Sequence, residues 1–190
     1  MKLESELKFP VEDRRALRAR IRALGFRVAA PRRLESNWLF NSPAALLRLR
    51  RSGSTWRLTA KGPRRKSKLK QRPEAEVVVS NGAAVRDLLA LLGYRETFAY
   101  ALHRTVFRRL RQRGELAWDE TPFGIYLEIE GSPAWVLRTA RALGLDPARA
   151  EPRSYPELFA RITRSSAKSK RSLTRPAATF DRSNESRPMT

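Results

Sequence analysis

The sequence predicts an α+β fold built on antiparallel strands. Three observations carry this. Apolar residues recur with period two over eight segments, while three others carry helical spacing and end at a glycine. The helices also separate groups of adjacent strands instead of alternating with single ones, as a parallel sheet would need.

In chain order, Lys2–Phe9 is the first strand, with Leu3, Leu7 and Phe9 on one parity. Leu17, Ile21 and Leu24 mark a helix ending at Gly25. Strands follow over Arg33–Phe40, Leu46–Arg51 and Thr55–Gly62, the last two joined through the turn Ser52-Gly53-Ser54. Lys70–Ser80 is the fifth strand. Val85, Leu88, Leu89 and Leu92 then form a helix that stops at Gly93. The remaining strands are Ala101–Gln112, Glu115–Glu120 and Gly124–Glu130, with a turn at Arg113-Gly114. Trp135, Val136, Ala140 and Leu143 form a third helix, closed by Gly144, and a short helix covers Pro156–Ile162. Glycine just beyond the last apolar position suits a left-handed helix end, since it has no Cβ. From Ser165 the chain turns to Ser, Lys, Arg, Thr and Pro, which marks 1–164 as the domain and 165–190 as a disordered basic tail.

Composition narrows the function. The absence of cysteine excludes a disulfide scaffold, a thiolate metal site and thiol catalysis. No apolar run is long enough for a membrane span, and Met1 leads straight into a charged strand, so a soluble cytoplasmic protein is expected. The net charge of +21 calls for a polyanion: nucleic acid, an anionic membrane surface or a phosphorylated small molecule. The tail holds six basic and two acidic residues, which leaves +17 on the domain.

Charged residues occupy one face of strand after strand. Glu4, Glu6 and Lys8 share a parity, as do Arg48 and Arg50; Arg57, Thr59 and Lys61; Lys70, Arg72, Glu74 and Glu76; and Glu128 and Glu130. An ordinary half-exposed sheet carries a loose mixture there, not runs of one sign. If the strands close, this parity points inward and sets carboxylates against bases. Crowded carboxylates call for a hard divalent cation such as Mg²⁺ or Mn²⁺, and the bases for an anion rich in oxygen. A metal-bound triphosphate meets both demands better than a nucleic-acid groove does.

At these residues the sequence resembles the CYTH family, the triphosphate tunnel metalloenzymes, which include class IV adenylyl cyclases and thiamine triphosphatases. Glu4-x-Glu6-x-Lys8 matches the family signature ExExK. The match continues in order through Leu47–Arg50, Leu58–Pro63, Lys70-x-Arg72-x-Glu74-x-Glu76, Arg104, Asp119, Phe123-Gly124 and Leu127–Gly131. The resemblance implies an eight-stranded antiparallel β-barrel forming a tunnel, with helices outside and dependence on Mg²⁺ or Mn²⁺. It makes Glu4, Glu6, Glu128 and Glu130 metal ligands, with Asp119 and Glu76 close by. Lys8, Arg48, Arg50, Lys61, Arg72 and Arg104 would grip the triphosphate, with Lys70 and Glu74 orienting. The substrate would be ATP, tripolyphosphate or thiamine triphosphate, and a homodimer is compatible.

Two departures stand out. Leu102 of Leu102-His103-Arg104 takes a position where many relatives carry lysine, and the connection from Asn41 to Leu46 is short. His103, the sole histidine, has the parity opposite to Arg104, which argues against a general base. Trp38, Trp56, Trp118 and Trp135 fit apolar patterns and read as core. The basic run Arg64–Lys68 reads as a solvated loop. Two chemistries share the motifs: hydrolysis of the triphosphate, and cyclisation of ATP to cyclic AMP. A non-catalytic binder of polyphosphate or RNA is the alternative, motivated by Leu102 and the basic tail.

Overall fold

The computed structural model describes residues 2–42, 45–63 and 70–161; side chains at 2–4, 70 and 71 lie outside that description. The tail expected over 165–190 and the loop Arg64–Lys68 lie outside the described residues. The elements are β1 (Lys2–Pro10), α1 (Arg14–Ala23), β2 (Arg27–Phe40), β3 (Leu46–Ser52), β4 (Thr55–Lys61) and β5 (Lys70–Val79). They continue with α2 (Gly82–Leu91), β6 (Glu96–Arg108), β7 (Gly114–Thr121), β8 (Gly124–Gly131) and α3 (Pro133–Ala142). A 3₁₀ turn at Pro147–Arg149 leads to α4 (155–161).

The strands close into a barrel in the order β1-β5-β4-β3-β2-β6-β7-β8, with every neighbouring pair antiparallel. Closure leaves no free edge for another chain to pair with. It also fixes the parity, so the charged face becomes the interior and the apolar face packs outward beneath the helices. Leu7, Phe9, Leu116, Trp118, Leu127 and Ile129 meet Leu17 and Ile21 of α1 and Val136 and Ala140 of α3. A second outer cluster sets Trp38 against Trp56, ring centroids 5.4 Å apart, beneath Leu89 of α2. All four tryptophans therefore pack in apolar clusters.

The helix ends follow from their residues. Asp13 accepts from the Ala16 N–H at 2.9 Å and Asn81 from the Ala84 N–H at 3.1 Å, each satisfying an orphan donor of the first turn. Gly25, Gly93 and Gly144 adopt φ of 81°, 83° and 71°. Each is followed by an apolar residue whose N–H reaches back to the last turn, as Phe26 does to the Ile21 carbonyl at 3.2 Å.

Two strands differ from the sequence expectation. β2 begins at Arg27 instead of Arg33, passing through Pro31, which has no donor for a ladder. Register shifts against β6 between Val28 and Ala30, and between Ala30 and Arg33, absorb the proline. β6 spans Glu96–Arg108 instead of Ala101–Gln112, because Arg111 turns the chain at φ 61° and the Gln112 N–H bonds the Arg109 carbonyl. Among the described residues no helix is long and apolar enough to cross a membrane.

Gly114 and Gly131 sit opposite each other on β7 and β8, and Trp135 of α3 lies directly over both. A Cβ would meet the indole at 2.6 Å from Gly114 and at 2.8 Å from Gly131. Gly131→Ala should therefore push α3 off the barrel at a cost of about 1–3 kcal/mol. A lowered urea midpoint with an unchanged slope is the expected readout; an unchanged midpoint would show that α3 yields freely.

Candidate active site

Inward side chains line a cavity of about 1620 Å³ running through the barrel. On the ring of eight, β8 lies four strands from β3, so the two face each other across the lumen. β8 presents Glu128 and Glu130, and β3 presents Arg48 and Arg50. Glu6 of β1 stands beside Glu130 in register, and Lys8 beside Glu128. Lys61, Arg72, Glu74 and Glu76 line the wall made by β4 and β5.

Arg104 of β6 is the hub of the buried charges. Its Nε donates to Asp119 Oδ1 at 2.6 Å and its Nη2 to Glu128 Oε2 at 2.7 Å, while Nη2 also bonds Asp119 Oδ2. Glu35 of β2 lies between two guanidiniums, with Oε2 3.7 Å from Arg104 Nε and 3.4 Å from Arg50 Nη1. Burial works against the charge on Arg104, but Asp119 and Glu128 outweigh it and hold the guanidinium well above its ordinary value. Burial pushes the Asp119 carboxyl up against the pull of Arg104. Arg50 is drawn down, first by burial and then by its neighbours Arg48 and Arg104. Arg48 has a buried Nε with no hydrogen-bond partner among the described residues. A buried donor left unpaired beside two other cations is an anion site in waiting.

Lys8 is 2 % exposed, with its Nζ 3.6 Å from Glu128 Oε1 and 3.9 Å from the ring centroid of Tyr155. Tyr155 comes from α4 and reaches into the barrel, donating its phenol hydrogen to Asp119 Oδ2 at 2.6 Å. Burial and the charges of Glu128 and Asp119 raise its phenol well above the ordinary value, so it stays a donor. Around it Phe98, Tyr100, Phe123, Tyr126 and Phe159 form a packed set of rings. Leu102 belongs to this apolar cluster, 3 % exposed against Tyr155 and Leu158, which accounts for a leucine on that position of the tunnel wall.

Thus Glu6, Glu128 and Glu130 share one wall, opposite or beside Arg48, Arg50, Lys8 and Arg104. Two further expected carboxylates carry partners of their own, and Asp119 shares the Arg104 Nη2 with Glu128. Glu76 accepts from the Thr59 hydroxyl at 3.0 Å and pairs with Arg57 at 3.2 Å, and Asp119 is fully buried behind Arg104. Glu74 pairs with Lys61 at 3.0 Å. Glu4 and Lys70 are placed by backbone register alone, opposite Arg72 and Glu6. Among the described residues no group of three potential ligands converges on one point. The donors on the β1–β8 wall are all carboxylate oxygens, which suits a hard divalent cation. His103 is not on the tunnel wall.

Sequence reasoning missed Glu35, Tyr155 and Tyr100. Glu35 had a signal, since it shares a parity with Asn37, whose Oδ1 accepts from Arg50 Nε at 3.1 Å. Tyr155 had none, because its role depends on where α4 docks.

The CYTH domain family model matches residues 2–155. Solved structures share the fold. A Pyrococcus horikoshii protein, 23% identical, superposes with a TM-score of 0.71 over 82% of this chain and 98% of its own. A Vibrio parahaemolyticus protein provisionally named an adenylate cyclase, 19% identical, has a TM-score of 0.71 over 84% of this chain and 98% of its own. A Hippeastrum protein provisionally named an adenylyl cyclase, with a dominant triphosphatase activity, is 17% identical with a TM-score of 0.58, over 84% of this chain and 95% of its own. No curated protein is significantly similar in sequence. The ordered charged strands, the closed eight-stranded tunnel and the family match agree, and the chain belongs to the CYTH domain family.

Proposed function

We propose that this protein is a divalent-metal-dependent enzyme that hydrolyses a triphosphate held inside the tunnel. The observation that carries the reading is the pairing of opposite walls: Arg48 and Arg50 on β3, with a buried unpaired donor at Arg48, across from Glu128 and Glu130 on β8. A chain of phosphates between them is neutralised from both sides, directly by the guanidiniums and through a cation by the carboxylates.

Arg48, Arg50, Lys61 and Arg72 bind the phosphoryl oxygens from one side, and Arg104 and Lys8 from the other. Glu35 and Asn37 fix the Arg50 guanidinium, and Asp119 with Tyr155 fixes that of Arg104, so the clamp is set before substrate arrives. Glu6, Glu128 and Glu130, with Glu4 two residues earlier on β1, would hold Mg²⁺ or Mn²⁺. When bound, the cation supplies charge neutralisation and polarisation at the phosphoryl oxygens. A Hippeastrum protein of this fold is described as having a dominant triphosphatase activity, which supports hydrolysis over cyclisation.

The test is a metal-dependent assay with tripolyphosphate, ATP and thiamine triphosphate that resolves phosphate, pyrophosphate and cyclic AMP. Phosphate release that needs Mg²⁺ or Mn²⁺ is expected. Cyclic AMP with pyrophosphate would replace hydrolysis by cyclisation, and no turnover of any triphosphate would leave a binding protein.

A further inference from the structure

Tyr100 of β6 lines the tunnel, yet the clamp of cations and carboxylates leaves its hydroxyl without a task. It stands opposite Asn37 in the β2–β6 ladder, and Asn37 stands opposite Arg50 in the β2–β3 ladder. The three therefore form one row across neighbouring strands.

This row ends in donors with nothing to donate to. Asn37 Oδ1 takes the Arg50 Nε hydrogen at 3.1 Å, so the amide NH₂ is the end left over. That Nδ2 is buried without a hydrogen-bond partner among the described residues. Arg48 Nε, the next residue of the same parity on β3, is buried and unpaired in the same way. The Tyr100 hydroxyl also has no partner among the described residues. Tyr155 makes the contrast, since its hydroxyl is taken up by Asp119 at 2.6 Å. The fold uses the Tyr100 ring, which packs 5.8 Å from that of Phe98 and 6.0 Å from that of Tyr155, and leaves the hydroxyl free.

The charges around the phenol say where it points. Burial raises it above its ordinary value, Arg48 and Arg50 pull it down, Glu128 raises it and Arg104 lowers it. A group that feels the β3 guanidiniums and the β8 carboxylate together lies in the lumen between those walls. It stays protonated near neutral pH and is a donor there. Unmatched donors are costly to bury unless an acceptor joins them. A cation cannot be that group, because a guanidinium and an amide NH₂ offer hydrogens and no lone pair. An anion rich in oxygen can.

We infer that Tyr100 is a substrate-contacting residue, its hydroxyl donating to a phosphoryl oxygen of the bound triphosphate beside Asn37 Nδ2 and Arg48 Nε. The inference rests on the triphosphate reading of the tunnel and adds two neutral donors to it. Cations attract a phosphate chain from many angles, whereas an O–H or N–H must point at one oxygen. The neutral donors thus fix where along the tunnel the chain stops.

The test compares the full chain with its Tyr100→Phe variant. Thermal unfolding is followed alone and over a tripolyphosphate titration without metal, and tripolyphosphate turnover is measured at saturating Mg²⁺ or Mn²⁺. Tyr100→Phe keeps the ring and strands no acceptor, so the midpoint of the free protein should not fall. Tyr155→Phe, which strips a bond from Asp119, should lower it. Tripolyphosphate affinity and kcat/KM should each fall about tenfold to a hundredfold in Tyr100→Phe, as for the loss of one hydrogen bond to a charged group. Where the wild type binds tripolyphosphate without hydrolysing it, the affinity alone decides. Affinity equal to that of a wild type that binds would overturn the inference and leave the tunnel reading standing. A lowered midpoint of the free variant would make Tyr100 structural and overturn the inference as well. A wild type that neither binds nor turns over any triphosphate would overturn both readings.

Discussion

Arg104→Leu is expected to destabilise the protein by about 3–5 kcal/mol, the largest loss from any single tunnel substitution. The side chain is 8 % exposed and serves three carboxylates from three strands: Asp119 on β7, Glu128 on β8 and Glu35 on β2. Removing it leaves Asp119 and Glu128 buried without their nearest counter-charge, and Glu35 with Arg50 as its remaining partner. At about 2–4 °C per kcal/mol for a chain of this size, the midpoint of thermal unfolding should fall on the order of 10 °C. Arg104→Lys should lose less, since an ammonium keeps the charge but cannot reach the fork geometry that joins Asp119 and Glu128.

The pH profile separates this from a packing defect. In the variant, burial without the guanidinium raises the folded-state Asp119 carboxyl above its unfolded value. Such a group favours the folded state when protonated, so the deficit should be full near neutral pH and shrink as pH falls toward the ordinary carboxylate range of about 4. Burial already pushes Asp119 in that direction with Arg104 present. A deficit independent of pH would mean that lost volume, not lost charge, sets the cost.

The barrel was legible because parity is a local property. Glu4, Glu6 and Lys8, or Arg48 and Arg50, declare their face within a few residues, and closure only decides which face is inside. The glycine-ended helices were legible for the same reason. Pairing inside the tunnel was not, because it depends on strands distant in sequence. Asp119 and Glu76 share the parity of the candidate ligands, yet one is taken by Arg104 and Tyr155 and the other by Arg57 and Thr59. Leu102 shows the limit in both directions. Read alone it is a missing cation; read with Tyr155 and Leu158 it is the floor on which α4 rests.

Glu130→Gln should lower metal-dependent turnover of the preferred triphosphate on the order of 100-fold while leaving the fold nearly intact. Glu130 stands in register between Glu6 on β1 and Glu115 on β7, three glutamates abreast along the tunnel wall. Like charges directly opposite on neighbouring strands destabilise a sheet, so neutralising the central one relieves repulsion along this row. The midpoint of unfolding is expected to move by less than about 4 °C, which corresponds to roughly 1 kcal/mol or a little more. On the proposed function turnover should fall because the same carboxylate oxygens would hold the cation, and charge neutralisation aimed at a developing transition state is commonly worth about 10²–10³ in rate. The loss should be partly recovered by raising Mn²⁺, since weakened metal affinity is overcome by concentration. A structural salt-bridge role predicts the reverse pattern, with a clear drop in stability and turnover that follows the folded fraction. Measuring the unfolding midpoint and the metal dependence of turnover on the same preparation distinguishes the two.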